Sequence, residues 1–245
     1  MKTALVTGAS GGIGKATVKA LIKDGYFVLG QYNLGEKAIS QLKAELEKEG
    51  LLDYFFAYKA DFSKKDGAIE LYNAISKSFK RIDGLVINAG VDLYKMVIDT
   101  TEEEWDNLFN VNLKAGFTLC KNFLPAMTEK GEGRIVFVSS VWGQKGASME
   151  AVYSATKWGM IGFAKSLAEE LASTGVTVNC VCPGVVDTQM NSRFSKEEME
   201  EIISQIPLGR MITPQEVAKE IAYFLSDDAK GVTGQEITID GGWTL

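Results

Sequence analysis

Three side chains near the middle of the chain have the types and spacing needed for proton transfer: Ser140, Tyr153 and Lys157. Residues at i and i+4 of a helix share one face, so a helix here would place Tyr153 and Lys157 side by side. A phenol has a pKa of about 10, and a nearby ammonium should draw that pKa toward neutrality by stabilising the anion. The chain has no histidine, the side chain most often used for this task. The combination predicts an oxidoreductase that uses tyrosine as the proton donor for carbonyl reduction.

A Tyr–Lys pair at this spacing also occurs on ordinary exposed helices, so its surroundings decide its meaning. Ser140 closes the run from Arg134 to Ser139, which is apolar and predicts a buried strand. Open α/β sheets place their sites at the carboxyl ends of strands. A strand end followed shortly by Tyr153 and Lys157 therefore favours a catalytic site over a surface helix.

The start of the chain offers a binding site for the phosphates of a dinucleotide. Gly8, Gly12 and Gly14 follow a short apolar strand and open a predicted helix. Glycines let a pyrophosphate approach the backbone, and the free N–H groups at a helix N-terminus attract its charge. The spacing differs from the commoner G-x-G-x-x-G, and a plain glycine-rich turn is the alternative interpretation. The position between a first strand and a first helix favours the dinucleotide.

Apolar strand-like runs alternate with amphipathic helical segments along the chain, which predicts a parallel sheet. Runs such as Leu85 to Ile87 are apolar throughout, as expected for strands covered on both faces. The predicted fold is therefore α/β, a Rossmann-type doubly wound parallel sheet with helices on both faces. We expect strands at 3–7, 27–31, 54–60, 84–88, 134–139, 176–182 and 236–240, and helices that include 36–49, 65–79 and 151–172.

Length and composition predict a single domain over residues 1–245. Folds of this class reach roughly 250 residues undivided, and a content of 46% hydrophobic and 24% charged residues is ordinary for a globular protein. The 26 basic and 32 acidic side chains give a net charge of -6, without the basic surplus that nucleic-acid or anionic-membrane binding requires. We expect a cytoplasmic protein, because no leader or membrane-spanning run is evident.

The cysteines are Cys120, Cys180 and Cys182. The last two alternate along a predicted strand and share one face, so they cannot surround a metal ion by themselves. We expect all three to be small buried apolar side chains and predict no metal site.

One segment departs from the strand–helix alternation. Residues 185–210 are polar and helix-prone, with interspersed apolar side chains such as Met190 and Phe194. A surface excursion and a mobile substrate lid can both have this composition, and the position directly after the sixth strand favours the lid. Trp142 and Met149, near the predicted active site, indicate either an apolar substrate pocket, with Trp142 as a substrate contact, or ordinary core packing.

Together these motifs resemble the short-chain dehydrogenase/reductase family. The resemblance covers the whole chain and rests on Thr7–Gly14, Asn88–Gly90, Asn112, Ser140, Tyr153 with Lys157, Pro183–Gly184 and Asp240–Gly242. Within the family the chain is most similar to 3-oxoacyl-[acyl-carrier-protein] reductases, through Ile206–Arg210 and Val232–Gln235. It departs at Ile87, where the family frequently has a second asparagine.

The resemblance implies a role for each matched position. Tyr153 would donate the proton, Ser140 would hydrogen-bond the substrate oxygen, and Lys157 would hold the nicotinamide ribose and lower the pKa of the tyrosine. Asn112 would hold a water that relays protons to the lysine. The cofactor-binding residues would be Gly8, Ser10, Gly12, Ile13, Gly14, Asn33, Asp61, Phe62, Asn88, Ala89, Gly90, Tyr153, Lys157, Pro183, Gly184, Val186 and Thr188.

The second strand predicts NADP over NAD as the cofactor. An acid at its end would bind the ribose 2′-hydroxyl of NAD and repel the 2′-phosphate of NADP. The sequence there is Gln31-Tyr32-Asn33, without an acid. The arginine often found in the family's glycine loop is Gly11 here, so no cation for the phosphate is evident and NAD stays open.

The resemblance implies a 3-oxoacyl thioester as substrate, linked to acyl carrier protein and used in fatty-acid synthesis. The carrier is acidic and would dock on two arginines, but Gly131 and Thr174 occupy those positions, with Lys130 and Arg134 as partial substitutes. The alternatives are a general ketone or acetoacetyl-CoA reductase, an alcohol dehydrogenase of the same family, and a dinucleotide sensor without turnover.

The predicted helix 151–172 carries two rows of small residues, which permit close helix approach. Packing on its own sheet requires only one row. With the two-fold axes that the resemblance implies, the second row predicts a homotetramer.

Overall fold

The computed structural model describes residues 1–245. Its strands are Thr3–Val6 (β1), Phe27–Tyr32 (β2), Phe55–Lys59 (β3), Gly84–Ile87 (β4), Gly133–Val138 (β5), Val176–Pro183 (β6) and Glu236–Ile239 (β7). Its α-helices are Gly12–Lys23 (α1), Glu36–Lys48 (α2), Gly67–Ser76 (α3), Glu102–Phe109 (α4), Ala115–Lys130 (α5), Ala151–Glu170 (α6), Lys196–Ser204 (α7) and Pro214–Leu225 (α8). The predicted strands are confirmed, and the helix expected over 65–79 is shorter at both ends.

The strands form one sheet in the order β3-β2-β1-β4-β5-β6-β7, and every neighbouring pair is parallel. Successive side chains of a strand point to opposite faces. Leu85 therefore enters the core beneath α3, α5 and α6, while its neighbour Val86 enters the core beneath α1, α2 and α8. The prediction of a doubly wound Rossmann-type sheet is confirmed.

All strands run in one direction, so their carboxyl ends meet at a single edge of the sheet. The chain leaves β1 toward β2 on one side and returns to β4 on the other, so the connections diverge between β1 and β4. Ligands of such sheets bind at the carboxyl edge beside this point.

The three cysteines are free and buried, which confirms their predicted packing role. Cys180 and Cys182 both enter the core beneath α3, α5 and α6, and burial raises the pKa of the Cys182 thiol to about 12. None of the helices combines the length and apolar character that a bilayer-spanning segment requires.

Candidate active site

A cleft of about 930 Å³ opens at the carboxyl edge of the sheet. One half is lined by the β1–α1 loop and by residues following β4 and β6. The other half is lined by residues following β5, by the start of α6, by part of the segment 189–205 and by Trp243. The cleft thus joins the predicted dinucleotide site, here called the cofactor half, to the predicted catalytic residues, here called the substrate half.

The β1–α1 loop has the shape and the free donors that a pyrophosphate requires. A Cβ on Gly14 would lie 2.1 Å from the carbonyl oxygen of Gly8, and Gly8 itself has a φ of +67°, so both positions require glycine. Gly11 caps α1 without a side-chain hydrogen bond, which leaves the N–H groups of Gly12 and Ile13 free at the cleft. Free N–H groups at a helix N-terminus bind anions, so these residues fit a dinucleotide.

Hydrogen bonds from side chains of the neighbouring strands and loops fix the backbone of this loop. Gln31 Oε1 accepts a hydrogen bond from Gly8 N at 2.9 Å, and its Nε2 donates to Ala60 O at 2.7 Å. Thr7 Oγ1 accepts from the backbone N–H groups of Asn88 and Ala89, both at 2.9 Å. Asn88 Nδ2 donates back to Thr7 O at 2.9 Å. The amide of Asn88 therefore positions the loop instead of pointing freely into the cleft.

The catalytic candidates come from β5 and α6. Ser140 lies two residues beyond β5, and Tyr153 and Lys157 lie in the first two turns of α6. Lys157 Nζ donates to Val138 O at 2.9 Å and lies 5.5 Å from the centroid of the Tyr153 ring. Ser139 Oγ donates to Lys157 O at 3.0 Å, which fixes α6 to the end of β5. The predicted helical pair therefore shares one buried face.

The electrostatics of this pair differ from the expectation based on sequence. Burial raises the pKa of Tyr153 above its ordinary value; the charge of Glu150 adds to this effect and the Ser140 hydroxyl opposes it. Burial lowers the pKa of Lys157 to about 8. The net shift of the Tyr153 pKa is thus opposite to the one expected from the sequence, and burial of the phenol is its largest cause. At neutral pH the tyrosine is a neutral phenol that retains its proton.

Asn112 lies in a π-helical turn, Asn110–Lys114, between α4 and α5. Its side chain is fully buried, with Oδ1 accepting from Val91 N at 2.8 Å and Nδ2 donating to Val91 O at 2.9 Å and Thr156 Oγ1 at 3.1 Å. Thr156 in turn donates to Tyr153 O at 2.7 Å. Both amide donors are thus used to join the loop after β4 to α6, which gives Asn112 a positioning role.

A family model described as short chain dehydrogenase matches residues 2–199. The chain belongs to the short-chain dehydrogenase/reductase family. Members of this family are NAD(P)-dependent oxidoreductases, and the observed parallel sheet with helices on both faces agrees with the family's Rossmann-type domain.

The relatives of this short-chain dehydrogenase include proteins with and without an assigned reaction. "Uncharacterized oxidoreductase YmfI" of Bacillus subtilis is 40% identical over 242 residues, which cover 99% of this chain and 98% of that protein. The 3-oxoacyl-[acyl-carrier-protein] reductase of Thermotoga maritima is 39% identical over 244 residues, covering 100% and 98%. The reductase of the same name from Staphylococcus aureus is 37% identical over 241 residues, covering 98% and 97%.

Most of the predicted site residues of this family member line the one cleft. They are Gly8, Ser10, Gly12, Ile13, Gly14, Asn88, Ala89, Gly90, Ser140, Trp142, Tyr153, Lys157, Pro183, Gly184, Val186 and Thr188. Asn33, Asp61 and Phe62 follow β2 and β3 at the same edge but do not line it. The Phe62 ring is buried in the core, so only its backbone could face a cofactor. Asp61 Oδ1 accepts from Ser63 N at 3.0 Å and Ser63 Oγ at 2.7 Å.

Several residues that line the cleft were not predicted from the sequence. Trp243 follows the Asp240–Gly242 motif and packs on Trp142 with ring centroids 5.1 Å apart, so its proximity to that motif was the available signal. Met149 is not part of the lining, although it precedes a lining residue and has a φ of +65°. Other missed lining residues include Asp92, Tyr94, Glu150 and Arg193.

Proposed function

We propose that the protein reduces the 3-oxo group of an acyl thioester to a 3-hydroxyl group, with NADPH as the hydride source. The observation that carries the proposal is the placement of the buried Tyr153 and Lys157 beside Ser140, in the same cleft as the glycine loop. Relatives 37–39% identical over nearly the whole chain are named for this reaction. The family supports an oxidoreductase, and the substrate is our inference.

Tyr153 donates its phenolic proton to the substrate oxygen. When bound, the dihydronicotinamide supplies the hydride to the carbonyl carbon. The C=O bond thus becomes CH–OH, and the tyrosine is left as a phenolate. Ser140 Oγ already accepts from Trp142 N at 3.2 Å, so its hydroxyl hydrogen is free to point at the same substrate oxygen. Two preorganised donors there stabilise the charge that develops in the transition state.

Lys157 holds the cofactor ribose and stabilises the phenolate. An ammonium has three donors, and Val138 O is the one hydrogen-bond acceptor that the protein gives to Lys157. Lys157 and Gly90 both line the cleft, and a Cβ on Gly90 would lie 3.6 Å from Nζ, so the ammonium lies beside the wall of the cofactor half. The remaining donors can reach ribose hydroxyls. Reprotonation of Tyr153 through a water held by Asn112 stays a prediction, and it would have to use groups other than the two amide donors.

The preference for NADPH rests on the end of β2 and on the residues that follow it. Gln31 points inward to Gly8 N, and the end of the strand presents Asn33 instead of an acid. The nearest acid along the chain, Glu36, pairs with Lys59 at 2.6 Å. A 2′-phosphate would therefore meet no unpaired carboxylate from this stretch of chain.

We expect Asn33→Asp to shift the ratio of the dissociation constants for NADPH and NADH in favour of NADH by at least about tenfold. Cofactor fluorescence measures both constants, and Asn33→Ser is the control.

The basic residues suggested for carrier docking do not lie beside the active site of the same chain. Lys130 ends α5 and pairs with Asp83 at 2.8 Å and Glu132 at 3.0 Å, while Arg134 is buried at the start of β5. The starts of these strands form the edge of the sheet opposite to the one that carries Tyr153. These two residues therefore cannot dock a carrier at their own cleft, which favours substrates on CoA or small thioesters.

The decisive experiment compares one 3-oxoacyl group on acyl carrier protein, on CoA and on a small thioester, with a simple ketone as a fourth substrate. We expect the CoA or small thioester to match or exceed the carrier in kcat/KM, because a chain of charge -6 steers an acidic protein poorly. A carrier advantage above about tenfold that disappears with added salt would show that other cations, such as Lys121, form a dock.

The general ketone or acetoacetyl-CoA reductase is the second candidate, and the position of Lys130 and Arg134 specifically favours it. It predicts that the ketone is reduced as well as any thioester. A dinucleotide sensor is the remaining alternative, and the retained Tyr153 and Lys157 argue against it. Oxidation of NADPH by none of the four substrates would favour the sensor and overturn the proposal.

A further inference from the structure

We propose that Arg193 is a positioning residue that holds the segment 189–205 over the substrate half of the cleft by pairing with Asp92 and Glu150. The two carboxylates belong to different walls of the cleft. Asp92 lies in the loop after β4, and Glu150 directly precedes α6, three residues before Tyr153. The pairing joins three parts of the chain that are far apart in sequence.

The guanidinium of Arg193 uses both of its terminal nitrogens. Nη1 pairs with Asp92 Oδ2, and Nη2 donates to Glu150 Oε1 at 3.1 Å. Its central carbon lies 5.1 Å from the Tyr94 ring centroid and 4.7 Å from that of Phe194. Tyr94 comes from the loop after β4, and Phe194 from the held segment. Arginine is suited to this combination of forked hydrogen bonding and aromatic stacking.

Little else attaches this segment to the protein. None of residues 187–205 is buried, and α7 has no buried residue. Among the hydrogen bonds and ion pairs, only those of Arg193 connect residues 189–205 to parts of the chain outside 186–209. Segments with few buried contacts open easily, so a single anchor has a large influence on their position.

Of the two carboxylates, Glu150 is the more buried and depends on the arginine in turn. The side chain of Glu150 is 10% exposed, and Arg193 is its hydrogen-bond partner. Burial raises the pKa of the Glu150 carboxyl to about 7. The ionised form of this carboxyl is the one that pairs with the guanidinium of Arg193. Loss of Arg193 would leave a buried carboxylate without a partner next to α6, a costly arrangement.

The held segment completes the cleft. Four of its side chains line the substrate half: Met190, Phe194, Ile202 and Gln205. When Arg193 releases its carboxylates, this wall can move away and the substrate half opens. Arg193 thus affects how well the substrate is bound, without touching the reacting carbonyl. This consequence rests on the proposed reductase function, whereas the anchoring itself does not.

The test compares Arg193→Met with Arg193→Lys and with Arg210→Met as a matched control. Arg210 also belongs to the 185–210 stretch and forms a two-pronged pair with Glu216 at 2.7 and 3.0 Å, but it does not line the cleft. A protease that cleaves after glutamate reports on opening, because Glu197, Glu198, Glu200 and Glu201 in α7 are present in every variant.

We expect Arg193→Met to speed cleavage in α7 and amide hydrogen exchange over 187–205 by about tenfold, with an intermediate effect for Arg193→Lys and none for Arg210→Met. Unchanged cleavage and exchange in Arg193→Met would overturn the anchor. If Arg193→Met is globally unstable, Asp92→Asn, Glu150→Gln and the double variant are compared by the same cleavage rate. If both carboxylates act through the one anchor, the double variant is cleaved more slowly than the product of the two single effects predicts. Effects that multiply would show that the two carboxylates act independently and would overturn the shared anchor.

Kinetics then separate the anchor from direct substrate binding. An anchor raises KM by about tenfold for all substrates and leaves kcat nearly unchanged, because it contributes equally to ground-state and transition-state binding. A rise in KM confined to anionic substrates, with normal protease protection, would show that Arg193 binds the substrate itself. Faster cleavage in a protein that reduces no carbonyl compound would keep the anchor and refute the proposed function instead.

Discussion

The phenol of Tyr153 and the ammonium of Lys157 are buried together, and burial moves their pKa values in opposite directions. The tyrosine keeps its proton across the neutral range, as a proton donor for reduction must. The lysine, with its pKa lowered to about 8, is still largely charged at pH 7. This protonation state suits the proposed carbonyl reduction, in which the phenolate would form only as the substrate receives the proton.

Tyr153→Phe should lower kcat/KM for carbonyl reduction by at least about 100-fold, since only the acidic proton is lost. The dissociation constant for NADPH should change little, because the ring and the position of Lys157 are kept. Tyr94→Phe is the matched control: it removes a phenolic hydroxyl from the same cleft without a proposed proton-transfer role. Activity of Tyr153→Phe within tenfold of the parent would refute the assignment.

Reduction should weaken as the pH rises through about 8, where Lys157 loses its proton and with it the charge that stabilises the phenolate. The pH profile of kcat/KM measures this. The titration of Lys157 would not cause this loss of activity by unfolding the protein. Its folded pKa lies below the ordinary 10.5, so the folded state binds fewer protons than the unfolded state between about 8 and 10.5, and this contribution to stability rises with pH. A profile flat to pH 10 would contradict the role of the ammonium.

At the scale of elements, the site depends on how three segments are fixed to one another. The π-helical turn 110–114 places Asn112 between the loop after β4 and helix α6. Turns of this kind are rare and occur often at functional sites. The segment 189–205 is attached chiefly through the ion pairs of Arg193. One wall of the cleft is thus fixed by the hydrogen bonds of the buried Asn112 side chain, and the other by these ion pairs.

Asn112→Ala should lower the free energy of unfolding by about 1–3 kcal/mol, because it removes the side-chain partners of the partly buried backbone N–H and C=O of Val91. Urea denaturation measures this change. Asn110→Ala in the same turn is the control, since it removes one exposed contact of 3.4 Å to Lys114. Equal stabilities of the two variants would show that the hydrogen bonds of Asn112 do not support the turn.

At the scale of the whole molecule, the surface of α4, α5 and α6 carries exposed aromatic rings. Trp105, Phe117 and Trp158 are 42–52% exposed, and Trp105 stacks on Phe109 at 4.4 Å. Exposed apolar rings that form a continuous patch mark an interaction surface, and these three come from helices that precede or contain the predicted small-residue rows. On α6 itself, Ala164 and Ala168 pack into the core of the same chain, whereas Ala151 is exposed and available to another copy.

We propose a homotetramer, and sedimentation at micromolar concentration tests it. Phe117→Lys should shift the protein toward smaller species, because a charge in an apolar interface loses its hydration without gaining a partner. Tyr54→Lys is the control, at a ring of similar exposure outside α4, α5 and α6. A monomeric parent would refute the tetramer, and equal behaviour of the two variants would place the interface elsewhere.

The sequence by itself determined the strands, their parallel arrangement and the proposed catalytic pair, Tyr153 and Lys157. These features depend on local patterns: continuous apolar runs for strands covered on both faces, a glycine loop before a helix, and a four-residue spacing for Tyr153 and Lys157. Because the strands are parallel, each functional residue that follows a strand must lie at the same edge of the sheet. The cleft lining confirms this for both the glycine loop and Ser140.

Only the tertiary structure decided the features that depend on distance across the fold. Asp92, Glu150 and Arg193 have no common spacing, and their pairing exists because the loop after β4, the start of α6 and the segment 189–205 meet at one place. The direction of the Tyr153 pKa depended on how deeply the helix is buried, which a spacing of four residues does not specify. Lys130 has a basic side chain in sequence, but the fold pairs it with acids at the far edge of the sheet. Local sequence fixes the chemistry of a side chain, whereas burial and distant neighbours fix its charge, its partners and the surface that it can serve.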